Sequence, residues 1–132
     1  KIFLLLSFLL IPALCFAETW RVTWASISAT SQGATPTSYI GEHGVVSSSG
    51  VPITNKTTIQ TTCFTVGSGA TDTDFNFLYD SQTANAHELC ANVGEASNCS
   101  IGITVGGNYL KFTADNDDAG QAVTPYCDVI TW

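Results

Sequence analysis

Three carboxylates and one amide fall within the run Asp115-Asn116-Asp117-Asp118, and Gly120 follows closely. Hard cations such as calcium take six to eight oxygen ligands, and an acidic loop turned by a glycine supplies several of them. The segment opens like an EF-hand loop, but Tyr126 stands at the twelfth position, where that loop needs a bidentate Glu. Its flanks also read as strands, not helices. The favoured reading is an ordinary solvated turn. The functional alternative is a simpler calcium loop at Asp115, Asp117 and Asp118, with Asp72, Asp74 and Asn76 placed to complete the shell.

Aromatic rings are the second kind of candidate. Trp20 and Trp24 are four apart in an extended pattern, so they point to one side of a strand, and Trp132 ends the sequence. A rigid row of indoles stacks well on sugar rings, which makes Trp20, Trp24 and Trp132 the ligand-binding candidates. The opposing expectation is burial, because aromatic residues dominate the cores of small β proteins.

Acid–base chemistry near neutral pH rests on two histidines, His43 beside Glu42 and His87 beside Glu88. With Arg21 as a charge clamp, this inventory suffices for metal-free phosphodiester transfer or a related hydrolysis. Small secreted ribonucleases use such a set, but none of their sequence motifs occurs here. The sequence contains no G-x-S-x-G elbow, no phosphate-cradling glycine loop and no dinucleotide fingerprint. No catalytic residue is assigned; no cofactor is expected, with calcium as the alternative and a zinc site from His43, His87 and a carboxylate ranked below it.

These groups need elements to hold them, and the elements read as strands. Trp20–Trp24 alternates apolar with polar, and Tyr39–Val46 is a weaker strand interrupted by Gly41 and Gly44. The stretch 57–66 is rich in β-branched residues. Phe75–Tyr79, Cys99–Val105, Tyr109–Thr113 and Tyr126–Trp132 continue the series. The run ITVGGNYLKF, with its Gly106-Gly107 pair, predicts a hairpin. Only 83–92 (TANAHELCAN) has the composition of a helix, and a short one. The fold expected is all-β: a small antiparallel β-sandwich or barrel of about seven strands, with two disulfides and at most one short helix.

The opening residues, 1–17, run from Lys1 through an apolar stretch to Pro12 and Ala17, in the order of a secretory signal peptide cleaved before Glu18. The apolar run is shorter than the roughly 20 residues a membrane anchor needs. Leu14 before Cys15 also departs from a lipoprotein signal. Residues 18–132 then form a single domain, secreted or, in a Gram-negative source, periplasmic. Removing the leader takes Cys15 with it and leaves Cys63, Cys90, Cys99 and Cys127, an even set expected as two disulfides. Cys63–Cys127 with Cys90–Cys99 is favoured, and the sequential pairing Cys63–Cys90 with Cys99–Cys127 stays open. In a eukaryotic source, Asn55 and Asn98 head glycosylation sequons, which would make the product a glycoprotein.

Composition narrows the function. Eleven acids against four bases give a net charge of −7, which argues against nucleic acid, whose binding draws on clustered Lys and Arg. No second apolar run approaches a membrane span. The expectation is an acidic, exported, non-catalytic binding module, lectin-like or protein-binding, whose partner is an extracellular glycan or protein. A surface-assembly subunit is the alternative, with YCDVITW as a strand to lend to a neighbour. A small secreted hydrolase or ribonuclease-like enzyme ranks third. No oligomeric state follows from the sequence.

Overall fold

The computed structural model describes residues 17–28, 31–56, 58–67, 72–79, 87–94, 98–103, 107–117 and 121–132. Of residues 1–17, expected as a secretory leader, only Ala17 is among them. The described residues form eleven strands: β1 Glu18–Thr23, β2 Ser31–Ala34, β3 Ser38–Gly41, β4 Val46–Ser47, β5 Val51–Pro52, β6 Ile59–Val66, β7 Thr73–Tyr79, β8 His87–Cys90, β9 Asn98–Ile103, β10 Tyr109–Asn116 and β11 Thr124–Thr131. They build an antiparallel sandwich. One sheet has the order β4-β3-β1-β11-β6-β9; the other has β2-β10-β7-β8, with β5 also paired to β10. No helix among the described residues is long and apolar enough to cross a membrane.

The long strands form where alternation is cleanest. In β6, Ile59, Thr61, Cys63 and Thr65 are buried while Gln60, Thr62, Phe64 and Val66 face outward; β10 and β11 repeat the pattern. Buried residues of both sheets make one core, with Val22, Trp24, Ile59, Val129, Phe75, Leu110 and Phe112 among them. Burying a side chain such as Phe75 or Phe112 contributes about 1.5–3 kcal/mol. Trp24 packs edge-on to Phe75 across the sheets, with ring centroids 5.9 Å apart.

Cys63 and Cys127 are register partners on β6 and β11 and form a disulfide, with their Cα atoms 4.0 Å apart. The sequential pairing is thereby excluded. Cys90 is also disulfide-bonded, while the side chain of Cys99 lies outside the described residues.

Several expectations need correction. The chain changes sheet at most steps, so among the described strands only β3–β4 and β7–β8 are hairpins of consecutive strands. The hairpin expected at ITVGGNYLKF is not formed: β9 pairs with β6 in one sheet and β10 with β7 in the other. The inward residues of β10, Leu110, Phe112 and Ala114, complete the second sheet's core face, a global gain that outweighs a local turn preference. Within 83–92, His87–Cys90 is a strand on the free side of β7, where backbone pairing and the burial of Leu89 override helix propensity; 83–86 lie outside the described residues. Tyr39–Val46 is broken by a 3-10 turn at Glu42–Gly44, in which His43 takes a left-handed φ of 59°. The count exceeds seven because β2, β4 and β5 are short edge pieces in segments with weak apolar patterns. Finally, β11 is central between β1 and β6, so YCDVITW has no free edge to lend.

Candidate functional site

Alternation that buries one face of the first sheet leaves a second face open, and strand register decides which side chains meet there. Val66 and Phe64 lie two apart on β6, and Phe64 stands opposite Tyr126 on β11. Their rings stack with centroids 4.9 Å apart. Arg21 on β1 lies over the Tyr126 ring at 5.1 Å and donates from Nε and Nη2 to both oxygens of Asp128, at 2.7 and 3.0 Å. Its register partner on β3 is Ile40, which in turn pairs with Val46 on β4. Val66, Phe64, Tyr126, Arg21, Ile40 and Val46 therefore form a diagonal stripe across five strands.

The stripe is largely apolar, broken by Arg21. Ile40, Val45, Val46 and Val66 are 38%, 57%, 67% and 54% exposed; they are the large exposed hydrophobics among the described residues, and all belong to or adjoin this sheet. The ion pair at its centre is exposed, so it adds little stability. Its effect is positional: the hydrogen bond to Asp128 and then that group's charge raise the Arg21 pKa and fix the guanidinium over Tyr126.

Beside the stripe, a depression of about 460 Å³ lies over β3, β1 and β11, walled by Ile40, Glu42, Arg21, Asp128 and Ile130. A second, of about 290 Å³, is lined by Glu18, Trp20, Glu42 and Val45. Trp20 and Glu42 belong to both. The Glu42 Oε1 accepts from the Thr19 N–H at 3.3 Å and from its hydroxyl at 3.0 Å.

The sequence-derived candidates are distributed differently. Trp20 and Trp24 do point to one side, but that side is the core: they are 8% and 3% exposed, so neither presents an open ring face. The Trp24 Nε1–H donates to the Ala34 carbonyl at 2.8 Å. Trp132 is half-buried, its N–H bonded to the Thr58 carbonyl at 2.9 Å.

Of the calcium candidates, Asp118 lies outside the described residues. Asp115 is held in β10 by the Gly33 N–H and the Asn76 amide, and it ties β2 and β7 to β10. Asp117 instead joins Asp72 and Asp74, with one carboxylate oxygen of each within 4.8 Å of the others. Asp74 also accepts the Asn92 N–H at 2.8 Å, and Asp117 accepts from Gln32. Two acidic sets distant in sequence thus meet in space at Asp72, Asp74 and Asp117.

His43 and Glu42 sit in the turn beside the first sheet, whereas His87 and Glu88 sit on β8 of the second. Arg21, the intended clamp, is engaged by Asp128. Asn55 is exposed at a left-handed turn position, φ 63°, and Asn98 is exposed at the start of β9, opposite Phe64.

Sequence reading missed the roles of Phe64, Tyr126, Ile40 and Val46. One signal was available. Pairing Cys63 with Cys127 in antiparallel register places Phe64 opposite Tyr126, and alternation puts both on the face the disulfide does not use.

No family model matches the chain, and no curated protein matches it in sequence. Among solved structures, PRD1 vertex protein P5 is similar, with a TM-score of 0.56 and 13% identity over 86% of this chain and 96% of that one. At this identity the likeness is one of fold.

Proposed function

We propose that the protein is an exported, non-catalytic β-sandwich that docks to another protein through the outer face of its first sheet. The observation that carries this reading is the apolar stripe, because contiguous exposed hydrophobic surface mixed with Tyr and Arg is the composition of protein contact sites. A role in assembly gains support from the fold it shares with PRD1 vertex protein P5, a protein named for a vertex. The signal-like order of residues 1–17 and the Cys63–Cys127 bridge support export to an oxidising compartment.

A random-peptide library selected on the oxidised protein tests it, with counter-selection on a variant carrying Ile40→Asp and Val46→Asp. Enriched peptides should bind the parent and lose the variant. Peptides that bind both equally would place the contact elsewhere.

One observation favours a glycan as the second reading: Tyr126 is a half-exposed ring beside Asp128 and Arg21, the mixture of stacking face and hydrogen-bonding rim that sugars use. A polysaccharide screen run with calcium and again with EDTA separates the two. Binding abolished by Tyr126→Ala would favour the glycan, and a blank screen leaves the protein partner.

A further inference from the structure

Three carboxylates border the paired depressions beside Trp20, and they are not equivalent. Asp128 is neutralised by Arg21 at 2.7 Å, and Glu18 by Lys56 at 3.0 Å. Glu42 has no basic partner among the described residues. Thr19 holds its Oε1 through two hydrogen bonds, which orients the group and leaves Oε2 without a donor among the described residues. The surroundings are apolar: Ile40 and Val45 flank it, and Trp20 walls both depressions. The Trp20 Nε1 is buried without a hydrogen-bond partner in the described residues.

A fixed, uncompensated carboxylate between aliphatic walls matches one side-chain chemistry well, a cation on a long methylene stem. The stem packs on Ile40 and Val45 while the head reaches Glu42. We infer that this groove receives a Lys or Arg side chain from an apolar-flanked segment of the protein partner, with Glu42 as its counter-ion. The inference rests on the docking reading and specifies its partner. The net charge of −7 points the same way, since it repels a second copy of this chain and draws in a basic partner.

Titration of the isotope-labelled protein with two blocked tripeptides, acetyl-Ile-Arg-Ile-amide and acetyl-Ile-Gln-Ile-amide, tests it. The amide of Thr19 and the indole N–H of Trp20 are the reporters. The arginine peptide should give saturable shifts at both, with an affinity about tenfold above that of the glutamine peptide, the scale of one charge-assisted contact. Glu42→Gln should bring the two peptides level while distant amides stay in place; Ile40→Ser should weaken both. Equal affinities for the parent, no saturable shift with the arginine peptide, or shifts confined to the Asp72–Asp74 strand would each overturn the inference. If library selection still returns stripe-dependent peptides that lack basic residues, docking stands and the cationic specificity alone is lost.

Discussion

The phenol oxygen of Tyr39 accepts the backbone N–H of Phe112 at 3.2 Å, a contact that runs from β3 in one sheet to β10 in the other. It fills a specific gap. Along one side of β10, β5 pairs with Tyr109 and Leu110, and β2 with Ala114 and Asn116, so neither strand reaches Phe112. Tyr39→Phe removes the acceptor and strands a buried donor, which should cost about 1–3 kcal/mol. Denaturant unfolding measures the loss, and faster hydrogen exchange at the Phe112 amide locates it. Unchanged exchange would show that another group serves that N–H.

The same phenol makes stability fall in alkali. Burial, the larger cause, raises the Tyr39 pKa above its ordinary value of 10.0, and the Phe112 hydrogen bond only partly opposes the shift. The unfolded chain therefore loses this proton first. The contribution is complete below pH 10 and is lost as the pH climbs toward the folded-state value. Tyr79, also raised by burial, adds to the slope. Unfolding midpoints across the alkaline range should decline, and Tyr39→Phe should flatten the decline. An equal slope in that variant would assign the effect to other groups.

Much of the framework was legible because it depends on local alternation. β6, β10 and β11 follow from β-branched and aromatic residues two apart, and Trp20 and Trp24 share a face for the same reason. Topology was not legible. ITVGGNYLKF carries a good local turn, yet whether Tyr109 returns along β9 or crosses to β7 depends on which core face awaits Leu110 and Phe112, a fact written elsewhere in the chain. The candidate site failed for the same reason. Arg21, Tyr126, Phe64 and Ile40 are unremarkable singly and become a surface only through three strand registers.

Gly41 is the residue that admits Trp20. A Cβ at this position would stand 3.0 Å from Cη2 and Cζ2 of the indole, a tighter approach than nearly all such contacts, so the ring must give by a few tenths of an ångström. Gly41→Ala must therefore displace a large buried ring, and overpacking of this kind costs about 1–3 kcal/mol. The shift would also deform the groove that Trp20 and Glu42 share. Lower stability together with a change in tryptophan fluorescence is expected. A variant as stable as the parent, with the same emission, would mean that the β1–β3 pairing yields more easily than its geometry implies.

The cluster of Asp72, Asp74 and Asp117 brings three like charges into one place, which opposes folding at neutral pH. Asp117 is the exposed member, so it can be neutralised with least disturbance to packing. Asp117→Asn keeps an oxygen for Gln32 and removes one charge, so the melting midpoint should rise by roughly 1–3 °C in low salt. Sodium chloride should narrow the difference by screening the parent. Calcium at matched ionic strength gives the experiment its second arm. Screening alone predicts the same rise as sodium; a larger rise that vanishes in Asp74→Asn would mark an ion held by this trio, because a ligand bound only to the folded state adds its binding free energy to stability. A lower midpoint for Asp117→Asn in low salt would show that its bond from Gln32 outweighs the repulsion.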